Sequence, residues 1–144
     1  MIKFFRKISA LALLLSSMQA FAGDLPDNIE AGLENYKKSG PKSAIQAWVV
    51  GSALEGSKDV LAQANGLRQI EDYYGKYQDY SFFKAYTLGA KSSVYLFTMN
   101  YEMGVVFVKF YMYETPEGKN IVQTFLFNTA AEQVWPHFLI FDNY

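Results

Sequence analysis

His137 is the single histidine of the chain, and cysteine is absent. A histidine acting as a general base needs a carboxylate or hydroxyl partner, and the segment around it, VWPHFLIF, has no recognisable spacing for one. One imidazole and no thiol exclude a multi-histidine metal site, a cysteine-based zinc site and a thiol nucleophile. We therefore expect a surface histidine, no metal and no cofactor.

The carboxylates offer no paired-acid chemistry either. Glu71 and Asp72 are neighbours in the chain and point apart on a helix, while Glu114 and Glu117 flank a predicted turn. Glycoside hydrolysis needs two acids facing each other across a cleft. A glycine-rich phosphate loop, a G-x-S-x-G elbow and a calcium loop are also missing from the sequence. These absences favour a protein that binds over one that catalyses, and we assign no catalytic residue.

The N-terminus has the pattern of a cleavable signal peptide. Lys3, Arg6 and Lys7 precede a short apolar run, ISALALLL, and Ala20-Phe21-Ala22 fits signal peptidase. The run is shorter than the roughly 20 residues that a membrane span needs. We predict a signal peptide over residues 1–22, cleavage after Ala22, and a periplasmic or secreted mature protein without a membrane span.

The mature chain, residues 23–144, has 10 basic and 14 acidic side chains, a net charge of −4 that argues against nucleic-acid binding. Only Tyr36 and Trp48 of its 22 aromatic residues precede residue 73. Because aromatic side chains suit pleated sheets, this division predicts a helical half followed by a sheet half. Neither half is long enough to fold safely alone, so we predict one α+β domain.

Capping residues and apolar spacing predict three helices, from about Pro26 through Lys38, over Pro41–Leu54 and over Lys58–Tyr74. From Tyr80 the apolar period changes to two, which predicts an antiparallel sheet. Its strands are Tyr80–Leu88, Ser93–Tyr101, Val105–Glu114 and Asn120–Asn128.

Two turns fix the predicted register. A two-residue loop at Met103-Gly104 pairs Tyr101 with Val106, and a loop centred on Glu117-Gly118 pairs Met112 with Gln123. The face that the helices should then cover is nearly all apolar. It comprises Tyr95, Phe97, Met99, Tyr101, Val106, Val108, Phe110, Met112, Ile121, Gln123, Phe125 and Phe127.

Polar groups on this apolar face indicate a candidate pocket. Tyr95, Tyr101 and Gln123 either bond locally or line a cavity, since buried hydroxyls and amides need partners. Trp48 and Met99 would shape that cavity. We predict that these five residues bind a small apolar ligand, with locally satisfied core tyrosines as the alternative.

The opposite face is too apolar for ordinary solvation. It carries Leu96, Phe107, Lys109, Tyr111, Tyr113 and Leu126. We predict that it pairs two copies of the chain, sheet to sheet, in a homodimer. Burial by the chain's own C-terminal FLIFDNY is the alternative.

The segment Gly89 to Pro136 resembles small exported bacterial proteins of the NTF2-like superfamily, within the cystatin-like α+β architecture. The resemblance is carried by Tyr95, the Glu102–Gly104 turn, Phe110–Tyr113, Glu117-Gly118 and Phe127-Asn128-Thr129. It implies N-terminal helices packed on a curved four-stranded antiparallel sheet that forms a cone, and it often implies a dimer. Many such proteins have no assigned activity.

Three hypotheses remain. The first is an exported, non-enzymatic binding module that holds a small apolar ligand or a protein segment in its cone. The second is a small-pocket enzyme of isomerase, dehydratase or hydrolase type that uses Tyr95 or Tyr101. The third is a structural or inhibitory interaction protein of the cell envelope.

Overall fold

The computed structural model describes residues 25–141, so the predicted signal peptide lies outside the described residues. Three helices come first: α1 (Asp27–Ser39), α2 (Pro41–Val49) and α3 (Lys58–Tyr74). Four strands follow: β1 (Tyr77–Thr87), β2 (Ser92–Tyr101), β3 (Gly104–Glu114) and β4 (Asn120–Asn128). A 3-10 turn (Ala131–Gln133) and the short helix α4 (His137–Phe141) end the described chain. The predicted α+β class is confirmed, while the cone of the NTF2-like superfamily stays a prediction.

The helix limits follow from local chemistry. Acidic residues in the first turn of α1 and lysines in its last turn interact favourably with the helix dipole and stabilise the helix. Pro41 is the first residue of α2, a position whose N–H makes no hydrogen bond within the helix, so the missing N–H of proline costs nothing there. The predicted end of α2 at Leu54 is wrong, because the Ser52 hydroxyl donates to the Val49 carbonyl at 2.7 Å and Gly51 takes a positive φ of 75°. The predicted limits of α3 are confirmed.

The strands form one antiparallel sheet in the order β1-β2-β3-β4. The predicted β2–β3 register is wrong by two residues, since Tyr101 pairs with Gly104 and Met99 with Val106. A shift of two leaves every side chain on its predicted face. The turn is therefore Glu102-Met103, and its backbone N–H groups donate to the carbonyls of Lys76 and Tyr74.

Gly104 begins β3 instead of forming the turn. A Cβ at this position would lie 2.7 Å from Cδ1 of the Tyr74 ring. Glycine is thus required here by the close approach of α3 and not by turn geometry. The glycine on which the predicted Met103-Gly104 turn rested therefore serves this contact between distant parts of the chain.

In the other hairpin, between β3 and β4, a bulge in β4 makes the observed pairing differ from the predicted one. Phe110 pairs with Phe125 as predicted, but Met112 pairs with Val122, which leaves Gln123 as an extra, unpaired residue. Val122 consequently turns into the helix-facing core and is fully buried, whereas Gln123 is exposed. The predicted faces of Val122 and Gln123 are wrong for this reason.

Two apolar cores lie on opposite sides of the sheet. The larger one joins the three helices to the inner face of the sheet. The smaller one joins the outer face to the C-terminal segment, by which we mean residues 131–141. Strand β2 is buried on both faces, because Leu96 contributes to the outer core and Phe97 to the inner one. No helix among residues 25–141 is long and apolar enough to cross a membrane.

Candidate functional site

The structure places four of the five residues of the predicted inner pocket at the inner core and leaves the fifth, Gln123, outside it. Trp48, Met99 and Tyr101 belong to the inner core and are 1%, 1% and 6% exposed. Tyr95 is half-buried and packs against the same core. Gln123 does not join them, because the β4 bulge leaves it exposed. Four of the five residues therefore share the inner face, and the predicted amide is missing from it.

Trp48 fills the space between the helices and the sheet. Its indole Nε1 donates to the Ile29 carbonyl at 3.0 Å. The indole ring meets Phe110 and Phe125 edge-on, with centroid distances of 5.1 and 5.5 Å. The polar atom of Trp48 thus has its partner within the protein, and the ring serves packing.

The buried tyrosines satisfy one another. The Tyr101 hydroxyl donates a hydrogen bond to the Tyr36 hydroxyl, with 3.1 Å between the two oxygens. The centroid of the Tyr77 ring lies 5.0 Å from that of the Tyr36 ring. Burial raises the pKa of Tyr101 to about 12. Burial also raises the pKa values of Tyr36 and Tyr77 well above 10.0, with further contributions from Tyr101 and Asp79 respectively. These three hydroxyls are therefore neutral at physiological pH, and those of Tyr101 and Tyr36 are hydrogen-bonded to each other.

Raised tyrosine pKa values predict alkaline unfolding. The unfolded chain loses these protons near the ordinary pKa of 10.0, while the folded chain retains them to a higher pH. The free energy of unfolding should thus be steady below about pH 10 and fall by about 1.4 kcal/mol per pH unit for each such tyrosine above it. Urea titrations followed by circular dichroism at a series of alkaline pH values would measure this slope.

The matched variants are Tyr101→Phe and Tyr73→Phe. Tyr101→Phe removes one buried titrating group, so the alkaline slope should become shallower. Tyr73 is 78% exposed, and its replacement should leave the slope unchanged. An equal slope in the wild type and the Tyr101→Phe variant would contradict a raised pKa of Tyr101 in the folded protein.

The outer face of the sheet is covered by the C-terminal segment. Trp135 is 8% exposed, and its Nε1 donates to the Val108 carbonyl at 3.0 Å. Its ring stacks on Phe83 at a centroid distance of 4.5 Å and meets Phe107 edge-on at 5.0 Å. Leu139 packs in the same core. The chain's own C-terminal part therefore covers this face, through Val134 and Trp135, which precede the FLIFDNY of the alternative, and through Leu139 and Ile140 within it.

This coverage changes the predicted dimer surface. Leu96 is fully buried within the chain, and Phe107, Lys109 and Tyr111 are half-buried. Only Tyr113 and Leu126 of the predicted interface are exposed, at 37% and 44%. A sheet-to-sheet homodimer through Leu96 would need the C-terminal segment to leave this face.

A groove of about 240 Å³ remains between the C-terminal segment and the ends of β1, β2 and β3. We call it the outer groove. Most of its lining is apolar or aromatic. The residues that line it are Tyr86, Leu88, Val94, Leu96, Lys109, Tyr111, Pro136 and Phe138. Convergence of apolar walls with a few polar groups is typical of small-molecule sites.

Lys109 and Tyr86 supply polar groups to the outer groove. The Lys109 ammonium lies 5.4 Å from the centroid of the Tyr111 ring, within cation–π range. On the edge strand β1, two strands away, the Lys84 ammonium lies 5.3 Å from the centroid of the Tyr86 ring. The Tyr86 hydroxyl is buried and has no hydrogen-bond partner among residues 25–141. A buried hydroxyl without a partner is uncommon and points to a missing acceptor or donor.

Sequence reasoning placed Leu96, Lys109 and Tyr111 on the outer face but missed Lys84 and Tyr86. No face was predicted for the residues of β1, which has a bulge of its own: its register slips between Phe82 and Lys84 and leaves Phe83 as the extra residue. Strict alternation along β1 therefore gives the wrong faces beyond Phe82. The adjacent aromatic pair Phe82-Phe83, which breaks the period of two, was the available signal.

His137 lies in α4 and is exposed, and its ring is 4.4 Å from the Phe141 ring. Residues 25–141 contain no group of three or more histidine, cysteine or acidic side chains able to hold a metal ion. A scan against protein-family models, a search of curated proteins and a search of solved structures each give no match. The geometry of the chain itself therefore carries the functional argument.

Proposed function

We propose that this chain is an exported, non-enzymatic binding protein whose small apolar ligand occupies the outer groove. The observation that carries the proposal is the groove itself, an apolar cleft that combines an unpartnered Tyr86 hydroxyl with a lysine at its wall. Export is part of the proposal because Lys3, Arg6 and Lys7, the apolar run and Ala20-Phe21-Ala22 form a complete signal-peptide pattern.

The inner face supports a ligand less well than the outer groove does. Trp48, Met99 and Tyr101 are in contact with the packed core, and the polar atoms of Trp48 and Tyr101 have protein partners. The same contacts weaken the form of the enzyme alternative that uses Tyr101, because a Tyr101 hydroxyl that donates to Tyr36 is not presented to a substrate. A site inside an NTF2-like cone is thus the weaker form of the proposal.

The test uses Nile red, an uncharged apolar dye that fluoresces in apolar surroundings. Leu88 lines the outer groove and is 52% exposed, so Leu88→Glu places a charge in the groove without opening a core. Met103→Glu is the matched control, because Met103 is 73% exposed in the β2–β3 turn. We expect saturable dye binding by the wild type and the control, and at least a tenfold weaker affinity for Leu88→Glu.

Equal affinity in all three proteins would place the dye elsewhere and overturn the proposal. Loss of binding in both variants would have the same consequence, since it would not single out the groove. Native mass spectrometry of the protein recovered from its own host would report the subunit number together with any ligand that it carries.

A further inference from the structure

The side chains beside the outer groove form two rows across the sheet. Lys84 pairs with Leu96 and Leu96 with Lys109, so the two lysines flank a buried leucine. In the next row, Tyr86 and Tyr111 flank Val94 in the same way. Because adjacent strands lie about 4.8 Å apart, the Cα atoms of the two lysines are separated by roughly 10 Å. Each ammonium lies over the ring of a tyrosine in the next row.

The positive charge of this surface is not neutralised within the described chain. The ion pair found among residues 25–141 joins Lys91 to Glu114 at 3.8 Å, and neither Lys84 nor Lys109 takes part in it. On the other side of the lysine row lie Thr98 and Phe107, which are neutral. The chain has slightly more acidic than basic side chains, yet this face of the sheet places two lysines, with one strand between them, beside an apolar groove.

The Tyr86 hydroxyl adds a neutral hydrogen-bonding group to the two cations. It is buried on a residue that lines the groove and lacks a partner in the described chain. A buried hydroxyl that bonds neither protein nor ligand is destabilising. A ligand oxygen that accepts a hydrogen bond from the Tyr86 hydroxyl would remove this penalty, and an anionic oxygen would also attract the lysines.

We propose that the ligand of the outer groove is a small anionic amphiphile, with its alkyl chain against the exposed side chains of Leu88 and Phe138 and its anionic head near Lys109 and Tyr86. This inference rests on the proposed function and names its ligand class. At about 240 Å³ the groove is smaller than the roughly 300–1,000 Å³ of drug-sized sites. A medium-length chain with a single compact head therefore fits better than a bulky lipid.

Isothermal titration calorimetry with four octyl compounds tests the ligand class. Octanoate and octyl phosphate carry the two common anionic heads, 1-octanol is neutral, and octylamine is cationic. We expect the better of the two anions to bind at least tenfold more tightly than 1-octanol, and octylamine to bind more weakly than 1-octanol. The tighter anion identifies the head group. Added salt should reduce the preference for anions, because exposed charges are screened.

Two substitutions locate the head group. Lys109→Gln should reduce anion affinity about tenfold and 1-octanol affinity by no more than about twofold, while Lys119→Gln in the β3–β4 turn should change neither. Tyr86→Phe should weaken anion binding about fivefold and raise the thermal midpoint of the free protein, since it removes the unpartnered hydroxyl. Tyr73→Phe should alter neither quantity. Lys84→Gln replaces Lys109→Gln if the latter variant fails to fold.

The outcomes separate the two proposals. Nile red binding that depends on Leu88, combined with octanol affinity equal to or above that of both anions, overturns the anionic ligand and leaves the apolar binding function intact. Failure of Nile red and of all four octyl compounds to bind overturns both. An anion preference that survives Lys109→Gln and Lys84→Gln overturns the placement of the head group.

Discussion

Replacement of Gly32 by alanine should lower the free energy of unfolding by about 3 kcal/mol, although alanine is the better helix former by about 1 kcal/mol. Gly32 lies in α1, and a Cβ built on it would overlap Nε1 and Cδ1 of Trp48. The indole cannot retreat easily, because it is 1% exposed and bonded to the Ile29 carbonyl. Urea unfolding followed by circular dichroism would measure the loss.

Gly66→Ala is the matched control, since Gly66 is also inside a helix and a Cβ added to it would lie 3.4 Å from Cζ of Phe127, an ordinary contact. This variant should be neutral or stabilised by up to about 1 kcal/mol. The double variant Gly32→Ala/Trp48→Phe should lose less free energy of unfolding than the sum of the losses in the two single variants, by at least about 1 kcal/mol. Simple additivity, or an equal effect at Gly32 and Gly66, would contradict the steric explanation.

Trp135→Ala should release the C-terminal segment and cost about 3 kcal/mol of unfolding free energy. The substitution removes the stacking on Phe83, the edge contact with Phe107 and the hydrogen bond to the Val108 carbonyl. Loss of the segment would expose Leu96, which is otherwise fully buried. We therefore expect the variant to associate through its sheet at micromolar concentration, as the sequence predicts for the exposed face. Light scattering would report the change in mass.

Phe138→Ala is the control for this experiment. Phe138 belongs to the same segment but is 55% exposed, so its replacement should change stability by no more than about 0.5 kcal/mol and leave the mass unchanged. Unchanged mass and stability in Trp135→Ala would mean that Trp135 does not anchor the segment. Equal association by both variants would argue against the buried outer face as its cause.

Local signals were sufficient for much of the fold. Ser57 and Gly75 cap α3 at the predicted residues, and the limits of β4 agree with the prediction. The period of two also placed Phe97 and Phe110 correctly, because a register shift of two residues preserves the faces. What escaped prediction depends on contacts between distant segments, such as the Tyr74 ring over Gly104.

The candidate site was predicted only in part. Lys109 and Tyr111 were placed on the outer face, but the groove needs the C-terminal segment as its second wall. Nothing local in VWPHFLIF specifies which face of the sheet it covers; the decision comes from the pocket that Phe83, Phe107 and the Val108 carbonyl form for Trp135. No face was predicted for Tyr86, and strict alternation along β1 would have given the wrong one, because a bulge precedes it.

The three bulges have a further consequence, since they lie only in the outermost strands. The register slips twice in β1 and once in β4, whereas the central β2–β3 pairing is unbroken from Ser92 to Tyr101. A long, regular, aromatic edge strand is a template on which other chains can add strands and grow into fibrils. Bulged edges bend away from the straight geometry that such growth needs. The irregularity that displaced Gln123 from its predicted face and the two in β1 thus protect an aromatic-rich sheet against polymerisation.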